Sequence, residues 1–269
     1  MIISEGLAFS ASNSAYRYGD GLFETIKIRS GKPILGNFHF ERLFNSLLLL
    51  KYKVPDFMSP DFFEQKILEL CKKNNCLQNA RVRLSVSRGN GGLFDCDNKF
   101  QYLVECWPLA EPTGLLNENG LIIDVFPDAK KSIDKFSNLK SASHLLYVMA
   151  AIWVRENKLN EALILNTHGL ICETAIANLF LVKDNLIYTP PLTEGCVAGV
   201  MRKYLISKLH SFGYEIKEKK IAIADAEEAN ECFLTNAIQG IRWVKQFRNK
   251  TFEKTFSQEI FHKLLKPFF

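Results

Sequence analysis

A chain of 269 residues with 47% hydrophobic and 23% charged residues has the composition of an ordinary globular protein of one or two domains. The formal net charge of +5 is modest and the basic residues are dispersed, which argues against a nucleic-acid-binding or basic scaffold protein. Neither a signal-peptide pattern nor an apolar run of about 18 residues is visible, so we expect a cytoplasmic protein without a membrane partner.

The seven cysteines are scattered along the chain, a pattern typical of reduced thiols rather than of a disulfide framework. Cys71 and Cys76 lie in the stretch CKKNNC, but no second pair of ligands follows at a spacing typical of zinc sites. The sequence therefore predicts no metal site.

The first part of the chain has the pattern of a small α/β domain over 1–108. The segment GLFETIKIRSGKPIL predicts two strands about an SGK turn, and FHFERLFNSLLLLKYKV has apolar residues at helical spacing. A second helix is predicted near 60–75, and two further strands are predicted over 81–87 and 101–107.

Residues 109–120 are rich in Pro, Gly and Asn, which predicts a linker before a larger α/β domain over 121–269. The second domain should open with the strand LIIDVF and a helix to about residue 157, followed by two hairpins. The segment GVMRKYLISKLHSFG then predicts a helix with a glycine cap. A strand, a short acidic helix, another strand and a terminal helix complete the predicted elements.

Six short stretches stand out in order along the chain. They are YRYGDGLFET (16–25), HFER (39–42), SNLKS (137–141), CETAIANLF (172–180), GVMR (199–202) and LTNA (234–237). Each is weak alone, because glycines often only make turns and most Arg and Glu side chains face water. Together they resemble the fold-type IV pyridoxal phosphate enzymes, which include branched-chain and D-amino-acid aminotransferases and aminodeoxychorismate lyase.

The resemblance implies a two-domain α/β fold like that of the D-amino-acid aminotransferases, a homodimer, and pyridoxal 5′-phosphate (PLP) as cofactor. It implies that Lys140 carries the cofactor covalently, that Glu173 pairs with its pyridine nitrogen, and that Arg42 holds its phosphate. Three further groups are implied for the phosphate: the backbone amides of Val200 and Met201 and the side chain of Asn236. These residue types suit their roles, since arginine and helix N-termini bind phosphate and a carboxylate keeps the ring nitrogen protonated.

Within this group the sequence favours a lyase, and we expect its substrate to be a small molecule. Branched-chain aminotransferases usually have a tyrosine five residues after the cofactor lysine, where this chain has Leu145. The lyases have a threonine at the position of Thr25, which is assigned a catalytic role in positioning Lys140 or assisting a departing oxygen. The stretch SRGNGG (87–92) and the LTNA stretch also resemble the lyase forms.

We therefore expect a 4-amino-4-deoxychorismate lyase that yields 4-aminobenzoate and pyruvate, with an amino-acid aminotransferase of the D-amino-acid or branched-chain type as the alternative. Some positions depart from the lyase pattern. LFDCD follows RGNGG, and Glu24 replaces a threonine found in some lyases, so the contacts to the substrate carboxylates stay open. His144 is expected to be structural.

Overall fold

The computed structural model describes residues 10–110 and 115–268. These residues form two compact units. Unit 1 comprises the described part of Met1–Thr113 together with Leu139–His144, and unit 2 comprises the described part of Gly114–Asn138 and Leu145–Phe269. The sequence assigns 139–144 to the second domain, whereas this short piece, here called the lysine segment, groups with unit 1. Part of the predicted linker, 111–114, lies outside the described residues.

Unit 1 contains an antiparallel sheet with the strand order β2-β1-β3-β4. The elements in chain order are α1 (Ser14–Tyr18), β1 (Gly21–Arg29), β2 (Lys32–Pro33), α2 (Gly36–Leu49), α3 (Pro60–Lys73), β3 (Asn79–Ser87) and β4 (Gln101–Pro108). The predicted hairpin is confirmed, with its turn at Ser30 and Gly31, which both have positive φ. Such φ values are typical of two-residue hairpin loops.

The core of unit 1 lies between one face of the sheet and the two longer helices. Ile26 and Ile28 of β1 are fully buried, as are Phe63 and Ile67 of α3. The α3 helix begins at a serine cap, because the Ser59 hydroxyl accepts a hydrogen bond from a backbone N–H in the first turn. The helices that the apolar spacing predicts are therefore confirmed.

The lysine segment pairs with the edge of β1 that the short strand β2 leaves open. The backbone N–H of Phe23 donates to the carbonyl of Lys140 at 3.0 Å, and Ala142 N–H donates to the carbonyl of Gly21 at 2.8 Å. A Cβ on Gly21 would lie 2.8 Å from the Cβ of Ala15 and 3.3 Å from that of Ala142. Glycine is therefore required for the close approach of these segments.

Unit 2 contains a nine-stranded sheet with the order β10-β9-β8-β11-β12-β5-β6-β7, with β13 paired to β12. Its strands are β5 (Leu121–Val125), β6 (Glu161–Leu165), β7 (Ile171–Thr174), β8 (Asn178–Lys183), β9 (Leu186–Thr189), β10 (Glu215–Glu218), β11 (Glu231–Asn236), β12 (Gly240–Phe247) and β13 (Lys250–Thr251). Its helices are α4 (Leu145–Glu156), α5 (Val200–Leu209), α6 (Ile223–Glu228) and α7 (Thr255–Ile260).

Most pairs in this sheet are antiparallel, but β5 runs parallel to both β12 and β6, and β10 runs parallel to β9. The two predicted hairpins and the helix at α5 are confirmed. After the acidic helix the sequence predicts a single strand, whereas the chain forms β11, β12 and β13 there. Among the described residues, no helix combines the length and the apolar character that crossing a bilayer requires.

Candidate active site

Lys140 in unit 1 lies against one face of β1. Its Nζ is 4.5 Å from the centroid of the Phe23 ring, and the Arg83 guanidinium carbon is 3.7 Å from the same centroid. Thr25 follows Phe23 by two residues and pairs in register with Arg83, so their side chains share this face. The His144 ring packs edge-on against Phe23 at 5.1 Å. One aromatic ring thus links the amine of Lys140 to the strand that carries Thr25.

Arg42 in unit 1 lies on the opposite face of β1, where it bonds to a buried carboxylate. Its Nε donates to Glu24 Oε1 at 2.8 Å and its Nη2 donates to Glu24 Oε2, which also contacts Nδ1 of His39 at 2.6 Å. Burial alone would raise the pKa of Glu24, but Arg42 and His39 together lower it to about 2. Burial lowers the pKa of His39. Nε and Nη2 of Arg42 are thus bonded to Glu24, and the phosphate role implied for Arg42 stays a prediction.

Glu173 in unit 2 lies on β7 and is 3% exposed. Its Oε1 accepts hydrogen bonds from Lys131 Nζ and from the hydroxyl of Tyr147, the latter at 2.6 Å. Its Oε2 accepts the backbone N–H of Val197 at 2.8 Å. Because a carboxylate oxygen has two lone pairs, Oε2 can accept a further donor. Glu173 therefore combines burial, a fixed orientation and remaining capacity to accept a proton-bearing nitrogen.

Sequence reasoning did not identify Lys131 and Tyr147. Lys131 is buried while its neighbour Lys130 is exposed, and nothing in the stretch AKKS separates the two lysines. Tyr147 lies on α4, seven residues after Lys140, and burial raises its pKa strongly, with a further contribution from Glu173. At neutral pH the phenol is therefore protonated and donates to the carboxylate.

The start of α5 presents backbone donors in unit 2. Val200 and Met201 are its first two residues, and the first N–H groups of any α-helix have no acceptor within the helix. The preceding residue, Gly199, has no side chain with which to cap them. A Cβ on Gly199 would lie 1.8 Å from Oδ1 of Asn178. The partial positive charge of this terminus and its N–H groups make it suitable for a phosphate.

The LTNA stretch contributes a hydroxyl that the sequence reading missed. Thr235 on β11 pairs in register with Asn178 on β8, so both side chains lie on the face that carries Gly199. The Thr235 hydroxyl is buried and has no hydrogen-bond partner within the described residues. Such a group costs stability unless a ligand satisfies it.

Asn236, the residue predicted from this stretch, points to the other face of β11 by strand alternation. Its Oδ1 accepts the backbone N–H groups of Ile238 and Gln239, at 3.1 and 2.8 Å, and thereby caps the turn into β12. Its Nδ2 donates to the Gln239 side chain at 3.1 Å. A phosphate contact from Asn236 stays a prediction, and Thr235 is the stronger candidate.

The family model for the amino-transferase class IV proteins matches residues 21–247 of this chain. The chain belongs to this family. As a class IV enzyme it depends on PLP, which confirms the predicted fold type and cofactor.

The class IV enzyme has relatives of two activities. A Methanocaldococcus jannaschii protein provisionally named as a branched-chain-amino-acid aminotransferase is 28% identical over 253 residues, 93% of this chain and 86% of that protein. Aminodeoxychorismate lyase from Bacillus subtilis is 28% identical over 235 residues, 85% of this chain and 78% of that protein. The crystal structure of a protein provisionally named as 4-amino-4-deoxychorismate lyase from Legionella pneumophila has a TM-score of 0.83 at 28% identity, covering 93% of this chain and 91% of that one.

The side chains present fit the cofactor of the family. The buried Thr235 hydroxyl, which has no partner among the described residues, and the N–H groups at the start of α5 form a donor set suited to a phosphate. The buried carboxylate of Glu173 suits a protonated ring nitrogen. The amine of Lys140 is partly buried, which suits a nucleophile that must react with an aldehyde.

Proposed function

We propose that this class IV enzyme is a 4-amino-4-deoxychorismate lyase, which converts its substrate to 4-aminobenzoate and pyruvate. The observation that carries the proposal is the placement of Thr25 on the face of β1 where Phe23 contacts the Lys140 amine. A hydroxyl at this position can assist departure of an oxygen, which a lyase requires and a transaminase does not. The similarity to the B. subtilis lyase and to the Legionella structure supports the same activity.

Each of the cofactor-binding roles is part of this proposal. Lys140 would hold PLP covalently, and Glu173 would pair with its ring nitrogen. The phosphate would be held by the amides of Val200 and Met201, with Thr235 as an added donor and Arg42 as a charged contributor. When bound, PLP supplies an electron-accepting ring that stabilises negative charge on the substrate carbon.

Lys140 and Thr25 would then divide the proton and leaving-group chemistry. Lys140 Nζ, released when the substrate amine takes its place on the cofactor, would take the proton from the ring carbon that bears the substrate nitrogen. Thr25 Oγ1 donates a hydrogen bond to the enolpyruvyl oxygen as the carbon–oxygen bond breaks, or else orients Nζ. Formation of the aromatic ring of 4-aminobenzoate provides the driving force.

Arg83 is the residue that we assign to a substrate carboxylate. Its guanidinium stacks on Phe23, and burial lowers its pKa, with Glu105 acting in the opposite direction. Its Nε donates to the Ser85 hydroxyl at 3.0 Å, which fixes the plane of the guanidinium. A fixed, partly desolvated guanidinium binds a carboxylate through charge-assisted hydrogen bonds. We expect Arg83→Met to raise KM for the substrate by at least about tenfold, a value typical of a lost charged hydrogen bond.

The test of the activity is a product assay with two arms. The PLP-loaded enzyme is incubated with aminodeoxychorismate in one arm, and with D-alanine or a branched-chain amino acid plus 2-oxoglutarate in the other. We expect 4-aminobenzoate and pyruvate in equal amounts from the first arm. If the second arm turns over readily and the first gives no 4-aminobenzoate, the enzyme is an aminotransferase.

Variants of Thr25 test the role of the hydroxyl. We expect Thr25→Val to keep the fold and the cofactor but to lose about 10²–10³-fold in kcat, as is typical when a positioned transition-state donor is removed. Thr25→Ser should restore most of the rate because it returns the hydroxyl. Thr251→Val, on the exposed strand β13, is the matched control and should retain the parent rate. A silent Thr25→Val would show that this threonine is only a strand residue.

A Glu173 variant tests the proposed electron sink. Glu173→Gln should retain cofactor but lose most turnover, because a neutral amide cannot stabilise a protonated ring nitrogen as an ion pair does. The control is Glu231→Gln, since Glu231 is equally buried but caps the start of α7 through the N–H groups of Phe256 and Ser257. The control should lower the melting temperature without changing turnover per folded molecule. Near-parent turnover in Glu173→Gln would reject this role.

The aminotransferase remains the second candidate because the M. jannaschii relative matches more of this chain than the lyase relative does. Both activities use the same lysine to remove a proton. They differ in where that proton returns and in whether an oxygen departs. The product assay distinguishes them directly.

The homodimer implied by the resemblance is also part of this proposal. Helix α4 exposes an apolar stripe at helical spacing, with Leu145 74%, Val148 51% and Met149 44% exposed. Contiguous exposed apolar side chains commonly mark a protein interface. Sedimentation should show a dimer, and Val148→Glu should weaken it, whereas Arg155→Glu near the end of α4 should not. The seven free thiols support the proposed cytoplasmic location.

A further inference from the structure

Three thiols from separate parts of unit 1 meet beneath its sheet. Cys71 lies in the last turn of α3, Cys76 follows that helix, and Cys106 lies on β4. Their sulfur atoms all lie within 4.8 Å of one another, and Sγ of Cys76 is 3.7 Å from Sγ of Cys106. Only Cys71 and Cys76 are close in sequence, and the fold brings Cys106 to them.

The end of α3 fixes the relative position of the first two thiols. Asn75 adopts a left-handed conformation with φ of 54°, and its N–H donates to the carbonyl of Lys72 at 3.2 Å. The N–H of Cys76 donates to the carbonyl of Cys71 at 2.9 Å. This pair of bonds is a Schellman motif, which is a rigid helix ending. Cys71 and Cys76 are therefore the two residues that this motif packs against each other. Their relative position does not depend on a flexible loop.

The third thiol comes from a regular strand. Cys106 pairs in register with Val82 of β3, and Val82 is fully buried. Cys71 is 0% and Cys76 3% exposed, whereas Cys106 is partly exposed. The cluster is thus closed on the side of the helix and accessible from the side of β4. A small ion could enter there.

The electrostatics of the cluster argue against a nucleophilic or redox-sensing cysteine. Burial raises the pKa of Cys71, with further contributions from Cys76 and Cys106, and burial raises the pKa of Cys106 to about 11. Reactive and redox-sensing cysteines instead have lowered pKa values and neighbouring positive charge. The raised pKa values of Cys71 and Cys106 therefore do not favour such a role.

We propose that Cys71, Cys76 and Cys106 bind one thiophilic d¹⁰ cation, of the class to which Zn²⁺ and Cu(I) belong. A metal–sulfur bond of about 2.3 Å gives sulfur–sulfur separations of about 3.8 Å in tetrahedral and about 4.0 Å in trigonal coordination. The Cys76–Cys106 sulfur–sulfur separation of 3.7 Å is within about 0.1 Å of the tetrahedral value. The remaining distances need to contract by less than about 1 Å.

Binding replaces protons and transfers no electrons. Three S–H bonds break, three sulfur–metal bonds form, and three protons pass to solvent, so affinity must rise with pH. With Zn²⁺ the three thiolates leave one net negative charge, and water can fill a fourth position at the accessible side. With Cu(I) three sulfur ligands complete the coordination. The proposal does not depend on the catalytic activity.

The test is a metal titration of the PLP-loaded enzyme with its thiols kept reduced. Zn²⁺ and Cu(I) are added in separate arms from chromophoric chelators, so that each affinity is measured by competition. We expect one equivalent per chain in at least one arm. Cys106→Ala should weaken that binding by at least tenfold, while Cys232→Ala, a buried cysteine of the core of unit 2, should bind as the parent does. Absence of stoichiometric binding in both arms would overturn the proposal, as would equal affinity in Cys106→Ala.

Protection of cysteines from alkylation can be measured on the parent protein, so this second test does not depend on the folding of a variant. The bound ion should protect Cys71, Cys76 and Cys106 from alkylation in urea concentrations that label them in its absence, while Cys96, a partly exposed cysteine of a loop, stays reactive. Cobalt(II) should show sulfur-to-metal charge-transfer absorption that Cys106→Ala loses. If mild oxidation links Cys76 to Cys106 and metal does not protect them, the cluster is a disulfide pair and the proposal is wrong.

Discussion

Arg42 in unit 1 and the start of α5 in unit 2 are the two regions from which the sequence predicts phosphate binding, and they offer very different donors. Arg42 carries a full charge, but two of its nitrogens are bonded to the buried carboxylate of Glu24. Gly199, Val200 and Met201 at the start of α5 carry no charged side chain, yet this helix start offers backbone N–H groups and lies on the face of the Thr235 hydroxyl.

This difference shows that a charged residue type is not the same as an available charge. The pair formed by Arg42 and Glu24 is close to neutral, and burial lowers the pKa of the adjacent His39. A phosphate would therefore find less net attraction at Arg42 than at an unpaired guanidinium. The neutral donors in unit 2 should carry a larger share of the cofactor affinity than the sequence alone indicates.

The largest expected effect is on stability, from Arg42→Met. This change leaves the carboxylate of Glu24 buried without its main partner, which typically costs about 3–5 kcal/mol in the free energy of unfolding. We expect only about a tenfold rise in the Kd for PLP. Urea unfolding and a PLP titration measure the two quantities separately.

The double variant Glu24→Gln, Arg42→Met sharpens this result. It removes the buried charge and should recover most of the lost stability, while the tenfold loss of PLP affinity persists. The comparison breaks if Arg42→Met is fully stable and loses PLP by a thousandfold, because Arg42 would then act as a free phosphate ligand.

The next effect concerns acid stability. The pKa of Glu24 is lowered from its ordinary value of 4.5 to about 2, so its contribution to stability is fully present above pH 4.5 and is lost as the pH falls toward 2. One pKa unit corresponds to about 1.4 kcal/mol, so the loss is about 3 kcal/mol. The difference between the urea unfolding midpoints of the parent and of Glu24→Gln should become smaller as the pH falls from 4.5 toward 2. Parallel pH profiles would contradict the lowered pKa.

Gly199→Ala tests the other region. The added Cβ would lie 1.8 Å from Asn178 Oδ1, and Asn178 is held by its hydrogen bond to the Val197 carbonyl at 3.0 Å. Overpacking of this kind costs about 1–3 kcal/mol, and we expect PLP affinity to fall about tenfold with the displaced helix start. Gly213→Ala is the control: its Cβ meets nothing within 4 Å but its φ of +84° imposes strain. It should lower stability without changing PLP affinity.

The smallest effect is expected for Thr235→Val, which removes the hydroxyl but keeps the shape. Stability should stay level or rise slightly, because a buried polar group without a partner disappears. The Kd for PLP should rise by up to about tenfold, the value of one hydrogen bond. Thr189→Val should show the reverse pattern, because the Thr189 hydroxyl donates to the Leu179 carbonyl at 2.8 Å. Unchanged PLP affinity in Thr235→Val would exclude Thr235 from the phosphate site.

Periodicity in the sequence predicted most of the elements. The helices at α2, α3 and α5 and the hairpins of both units follow from apolar spacing and turn residues, which are local properties. The strands β12 and β13 were missed because IRWVKQFRNKT mixes charged and apolar residues without strict alternation. Strand pairing at long range decided their structure, and local propensity does not contain that information.

The candidate site was predictable only where a residue type is itself informative. The motifs predict the roles of Lys140 and Glu173, and these roles stay predictions. The partners of Glu173, namely Lys131 and Tyr147, are set by packing, as is the ion pair that occupies Arg42. The sequence predicted a phosphate contact from Asn236 and not from its neighbour Thr235. The sequence alone does not tell which face of strand β11 lies on the side of the start of α5.

The lysine segment has a consequence for how this polypeptide can be divided. The chain passes from unit 1 to unit 2 after Thr113, returns at Leu139, and leaves again after His144. A fragment that stops at Thr113 would lack Lys140 and would leave an unpaired edge on β1, which invites aggregation. Cutting the chain after Thr113 therefore does not give two fragments that each contain one complete unit. Exchange of unit 1 between relatives would have to graft six residues from the middle of the other unit as well.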